Sequence, residues 1–157
     1  MCIRDSNYAK QKYNLLIGER TAEDVKIAVG SAHESCDEGE VEMRGRDLVT
    51  GLPKVIKISG AEVRESLARS INAITEAARD AIEETPPELL SDLLEDGLML
   101  AGGGALLRGF DLYLQEKLNL PVKLAKRPIS CVVEGCGIAL EEVELLNQIQ
   151  ITNDDII

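Results

Sequence analysis

The chain has 157 residues, 45% of them hydrophobic and 29% charged, a balance that suits one folded domain or two small subdomains and argues against disorder. Its formal net charge of −11 argues against nucleic acid or anionic lipid as a partner, because both need clustered Lys and Arg. No apolar run approaches the ~18 residues of a membrane span, and Cys2, Cys36, Cys131, Cys136 and the single His33 show no metal-ligand spacing, so free thiols in a reducing cytoplasm are expected.

Residues 1–6 fit nothing that follows and read as a foreign leader. A helical pattern starts at Asn7, with Tyr8, Tyr13 and Leu16 as its candidate buried stripe. After Gly18, Thr21 reads as the N-cap of a second helix, with Glu23 and Asp24 in its first turn, where negative charge suits the helix dipole. Ala22, Val25, Ala28 and Val29 form its apolar face, and Gly30 or Ser31 ends it. The period then becomes alternating. Val41, Met43 and Gly45 point one way, Glu40, Glu42 and Arg44 the other, and Val55 to Ile58 return after a turn-rich connection, which predicts a β-hairpin.

Ser59 and Glu62 form a capping box before the longest predicted helix, whose apolar stripe is Val63, Leu67, Ile71, Ile74, Ala78 and Ala81. Thr85-Pro86-Pro87-Glu88 stops that helix and starts a shorter one over Leu89 to Leu94, with Gly97 as its C-terminal cap. Gly97 to Ala101 is fully apolar, as expected of a strand covered on both faces. It runs into Gly102-Gly103-Gly104 and a helix from about Ala105, with Leu107, Phe110 and Leu114 as its buried stripe. Pro121 to Leu124 reads as another strand and Cys131 to Leu146 as a closing helix, so this half is α/β. The expected organisation is 7–59 as a small unit of two helices and a hairpin, 60–150 as a larger unit with the glycine loop, and 151–157 as a tail.

Three glycines between a strand and a helix expose backbone N–H groups with no Cβ in the way, so a flat or anionic ligand can approach the main chain. The same triplet also suits a tight packing turn, and it lacks the spacing of a phosphate loop or a dinucleotide fingerprint. Glu23 and Lys26, at i and i+3, form either a surface ion pair or a pair of ligand contacts. No Ser/His/Asp or Cys/His arrangement suggests nucleophilic catalysis, and His33 has no evident partner in the sequence.

Four ordered blocks carry a resemblance. Tyr13-Asn14-Leu15-Leu16-Ile17-Gly18-Glu19-Arg20-Thr21-Ala22-Glu23 is the first and Gly45-Arg46-Asp47-Leu48-Val49-Thr50-Gly51-Leu52-Pro53 the second. Thr85-Pro86-Pro87-Glu88-Leu89 and Leu100-Ala101-Gly102-Gly103-Gly104-Ala105-Leu106-Leu107-Arg108-Gly109 complete the set. Together they resemble the C-terminal half of the MreB family, the bacterial actin homologues that set rod shape, from about Asn7 to about Glu144.

The resemblance implies part of an actin-like ATPase (ribonuclease-H-like) α/β fold: the second large domain with its small α+β subdomain. It also implies ATP with Mg2+ in a cleft between two domains. Glu23 and Lys26 would line the ribose and adenine side, and Gly102, Gly103, Gly104 and Ala105 would form the adenosine loop. The family's phosphate loops, its water-positioning acid and its membrane-binding element lie upstream of this sequence, so the chain by itself is expected to be catalytically inactive. The expected partners are further copies in a head-to-tail filament and the cell-wall elongation machinery at the inner membrane, with no nucleic acid. The expected place is the cytoplasm, at the membrane as a polymer. Two other readings stand beside it: a nucleotide-independent interaction module, or part of a kinase or chaperone of the same superfamily.

Overall fold

The structure, a computed structural model, describes residues 2–141. Helix α1 (Cys2–Tyr13) leads into a short strand β1 (Leu15–Leu16), helix α2 (Glu19–Val29), a 3-10 turn (Glu34–Cys36) and the hairpin β2 (Glu40–Asp47) and β3 (Pro53–Ser59). Helix α3 (Gly60–Glu83) and helix α4 (Pro87–Asp96) follow, then strand β4 (Leu98–Leu100), a second 3-10 turn (Gly103–Leu106), helix α5 (Phe110–Leu118), strand β5 (Val122–Leu124) and helix α6 (Cys131–Glu141). The first helix thus begins before Asn7, and residues 142–146 of the expected closing helix lie outside the described residues, as does the tail 151–157.

β1, β2 and β3 form an antiparallel sheet in that order, with Val41 opposite Ile58 and Met43 opposite Ile56. The alternation expected of β2 is present: Met43 is buried while Glu40, Glu42 and Arg44 are exposed. The two-residue β1 has too little periodicity to be read in advance. It pairs Leu15 with Asp47 and Leu16 with Arg46, and the chain turns into it at Asn14, whose φ of 51° lies in the left-handed region that Asn tolerates. A Cβ at Gly45 would sit 2.5 Å from the Leu16 carbonyl oxygen and 2.8 Å from Leu15 Cγ, so a glycine there is what lets β1 close onto β2. The buried residues of this region are Ala9 and Leu15; Tyr8 and Tyr13 are half-buried, and Leu16 is exposed.

α2 starts at Glu19 with Gly18 as its N-cap, three residues earlier than a Thr21 cap would allow. Ala22, Val25 and Val29 face the core and Ala28 does not. α3 begins with the expected capping box: Glu62 N–H donates to Ser59 Oγ at 3.4 Å, and Ser59 N–H donates to Glu62 Oε2 at 3.0 Å. Its stripe runs Val63, Leu67, Ile71 and then Thr75, while Ile74 is exposed. Thr75 can be buried because its hydroxyl donates to the Ile71 carbonyl at 2.9 Å. Val63, Leu67 and Ile71 join residues of α1, α2, β2 and β3 to Phe110 and Leu114 of α5 in one hydrophobic cluster.

β4 and β5 pair in parallel, Leu98 with Val122 and Leu100 with Leu124, as a strand–helix–strand connection requires. Gly97, at φ 75°, caps α4 and lets β5 approach: a Cβ there would collide with the Pro121 carbonyl oxygen. β4 is not covered on both faces. Leu98 and Leu100 are half-buried on one face, and Met99, on the other, is 62% exposed.

α1 is tied to the start of α3 by polar groups. Tyr13 donates its hydroxyl to Glu62, Lys12 Nζ lies 3.1 Å from Glu62 Oε1, and Tyr8 donates to Glu65 at 2.7 Å. The Tyr13 hydroxyl, with the Ser59 N–H, holds the Glu62 carboxyl down at about 2 from an ordinary 4.5. A depressed carboxyl stabilises the fold above its unfolded value and stops doing so as pH falls through its folded value. The stability carried by Glu62 is therefore complete above pH 4.5 and disappears toward pH 2. Urea unfolding followed by circular dichroism across that window should show a Glu62→Gln chain that is less stable at neutral pH and loses less on acidification.

Candidate functional site

The glycine triplet forms the entry to a 3-10 turn, not to a long helix. Gly102 takes φ 84°, its N–H donates to the Pro128 carbonyl at 2.6 Å, and its own carbonyl accepts from Ala105 N–H at 3.2 Å. α5 begins only at Phe110, because Gly109 at φ 68° interrupts the helical path. The main-chain N–H groups offered to solvent at the triplet thus belong to this tight turn. Ala105 is buried beneath it, while nothing lies within 4 Å of where a Cβ would stand on Gly102, Gly103 or Gly104. The turn faces open space.

Glu23 and Lys26 sit on α2 with Glu23 Oε1 and Lys26 Nζ 3.6 Å apart. The Lys26 side chain is largely covered and the Glu23 side chain is about half exposed. α2 and the glycine turn are far apart in sequence, and Arg108 joins them. Its Nη2 donates to the Ala28 carbonyl at 2.7 Å and its Nε to the Gly30 carbonyl at 3.2 Å, both at the C-terminal end of α2. Its main chain forms a parallel bridge with Ser31, and its carbonyl accepts from Ala32 N–H at 2.8 Å. A cation here complements the negative end of the helix dipole and satisfies carbonyls that the helix end leaves unpaired.

A second contact joins the same segments. Gly109 packs on the 3-10 turn: a Cβ there would stand 2.8 Å from His33 Cβ and 2.9 Å from Cys36 Sγ. His33 does have partners: its Nδ1 is 2.7 Å from Ser35 Oγ and its Nε2 is 3.0 Å from Glu116 Oε1 on α5. This Ser–His–Glu string serves as a cap, since Nδ1 also accepts from the Ser35 N–H at 3.2 Å at the head of the turn. Asp37 receives the buried Ser31 hydroxyl and both lone-pair sides face Arg64 Nε, at 2.9 and 3.1 Å, which fastens this loop to α3. The pairs Arg108 with α2, Arg64 with Asp37 and Glu116 with His33 carry no sequence signal, because their members lie 27 to 83 residues apart.

Among the described residues no group of three or more His, Cys, Asp and Glu is placed to hold a metal ion, and Cys36, Cys131 and Cys136 are free thiols. No helix among them is long and apolar enough to cross a membrane. A groove of about 530 Å³ lies at the C-terminal half of α3, with Ala78, Ile82, Leu89 and Leu98 in its mainly apolar lining and Asp92 and Asp96 also lining it.

The arrangement of sheet, spine helix and glycine turn recurs in MreB5 of Spiroplasma citri bound to ADP, with a TM-score of 0.88 at 37% identity over 95% of this chain and 45% of that one. The fold is therefore part of an actin-like fold. The chain belongs to the MreB/Mbl family, whose model matches residues 4–148. It is 49% identical over 140 residues to the cell shape-determining protein Mbl of Bacillus cereus, covering 89% of this chain and 42% of that protein. Against the cell shape-determining protein MreB of Escherichia coli K12 the identity is 42% over 139 residues, with 88% and 40% covered. The chain spans about two fifths of the length of these curated relatives.

The two kinds of glycine should respond differently to a methyl group. Gly109→Ala should cost about 1–3 kcal/mol, since it forces a left-handed backbone onto alanine against His33 and Cys36. Gly103→Ala, with open space around it, should change the unfolding free energy by no more than about 0.5 kcal/mol. Denaturant unfolding of the two variants checks both.

Proposed function

We propose that this chain supplies the adenosine side of the nucleotide site in a cell shape-determining bacterial actin that binds ATP. The observation that carries the reading is the glycine turn, whose Gly102, Gly103 and Gly104 leave open space for a ligand. The Arg108 tie brings the end of α2 to the same segment. Support comes from MreB5 of Spiroplasma citri, a relative bound to ADP. In this reading Gly102, Gly103, Gly104 and Ala105 receive the adenosine, and Glu23 and Lys26 hold its ribose and base through hydrogen bonds from the far wall. In this reading the metal, the phosphates and the attacking water are met by other parts of a full-length family member.

The same protein assembles head to tail in the cytoplasm, at the inner membrane, where the polymer organises the cell-wall elongation machinery. Such contacts repeat without closing when a knob on one copy fits a groove elsewhere on the next. The hairpin tip is a suitable knob: Val49 is 80% exposed and Leu52 65%. The loop is held rigid by Asp47, which accepts from Val49 N–H at 2.8 Å and Thr50 N–H at 3.1 Å and pairs with Lys54 at 3.0 Å. The groove at α3, α4 and β4 is apolar enough to receive it.

Two variants in a full-length protein carrying this chain test the reading. Gly103→Phe should weaken ADP binding by about tenfold or more, the loss of a close backbone approach together with its hydrogen bonds, as measured by calorimetry. Unchanged affinity would count against the glycine turn as the adenosine site. Leu52→Asp should leave ADP affinity intact and greatly reduce the polymer pelleted with ATP; undiminished pelleting would remove the hairpin tip from the assembly contact.

A further inference from the structure

We infer that Arg108 is a positioning residue for the nucleotide site, setting where Glu23 and Lys26 stand relative to the glycine turn. The inference rests on the reading of that turn as the adenosine site. Arg108 stands two residues after the 3-10 turn Gly103–Leu106, so the glycine turn and the guanidinium share one short stretch of main chain. From there the side chain reaches the last carbonyls of α2, Ala28 at 2.7 Å and Gly30 at 3.2 Å, with Glu38 Oε2 3.8 Å from its Nη1.

Two bonds from one planar fork fix direction as well as distance, which a single flexible ammonium does not. The main chain of Arg108 adds a parallel bridge to Ser31 and the bond from Ala32 N–H. α2 is thus held at its C-terminal end by a residue two positions beyond the glycine turn. Lys26 stands two positions before Ala28 on that helix, and Glu23 one turn further back. A small rotation of α2 about its C-terminal end would carry both side chains away from a ligand on the turn, with no residue of the turn altered.

Stability alone would also explain a seam of this kind, and the two explanations differ in what they do to binding. A purely stabilising Arg108 lowers the melting temperature and leaves affinity unchanged where the protein is folded. A positioning Arg108 lowers affinity through α2, so its effect must overlap with that of the α2 side chains.

The experiment is a double-mutant cycle in a full-length protein carrying this chain, with ADP affinity measured by calorimetry well below the melting temperatures of the variants. Arg108→Ala should weaken ADP binding by about tenfold, the scale of a single charge-assisted hydrogen bond passed on through α2, and Arg108→Lys should recover part of that loss. Combined with Glu23→Gln, the Arg108→Ala loss should be clearly smaller than the product of the two single losses. Arg108→Ala affinity within about twofold of wild type, or losses that multiply, would overturn the inference. If Arg108→Ala fails to fold, Arg108→Lys decides: about threefold weaker binding in a folded protein supports it, and wild-type affinity leaves Arg108 a stability residue only. Wild-type protein that binds no ADP would overturn the nucleotide reading itself, and this inference with it.

Discussion

The buried stripe of α3 is the constraint on which the other elements depend. Val63, Leu67 and Ile71 meet α1, α2 and the hairpin at one end of the helix and Phe110 and Leu114 of α5 further along, in a single apolar cluster. With one Phe and no Trp the chain has few large aromatics to build its core, so a long helix with aliphatic residues at four-residue steps carries the joining. Its entry angle is set by Ser59 and Glu62, and Glu62 also receives Tyr13 and Lys12. One carboxylate thus ends a strand, starts the spine helix and holds α1 against it.

Around that spine the connection between the α2 region and the glycine segment is polar. Arg108 on the carbonyls of α2, His33 on Glu116, and Asp37 between Ser31 and Arg64 are all directional contacts. Directional bonds of this type hold orientation where apolar packing would tolerate sliding. The main-chain bridge between Ser31 and Arg108 extends the same registry. An open glycine turn next to a firmly oriented helix is a suitable architecture for a ligand that must be met from two directions.

What could be read from the sequence was what local residues decide. The Ser59–Glu62 box, the Gly97 cap, the alternation of β2 and the first three buried positions of α3 each depend on neighbours within a few residues, and each is present. The misses share the opposite property. β1 exists because Gly45 admits it, Thr75 replaces Ile74 because it can bond back to Ile71, and α5 starts late because Gly109 must press on His33 and Cys36. Met99 is exposed because only one face of the two-stranded sheet is covered, the face of Leu98 and Leu100. For the candidate site, Glu23, Lys26 and the triplet were visible as residue types, whereas the Arg108 tie required knowing that positions 30 and 108 meet.

Asp47 has a consequence for kinetics. By holding Val49 and Thr50 through their N–H groups and Lys54 through its ammonium, it freezes a loop that would otherwise sample many shapes. Its carboxyl is held at about 2, chiefly by Lys54, so it stays ionised at neutral and mildly acidic pH. The conformational entropy of the tip is surrendered during folding and is not charged again on contact. Whatever surface meets Val49 and Leu52 finds a ready-made shape, so encounter and orientation, with no loop rearrangement, would set the rate of that meeting.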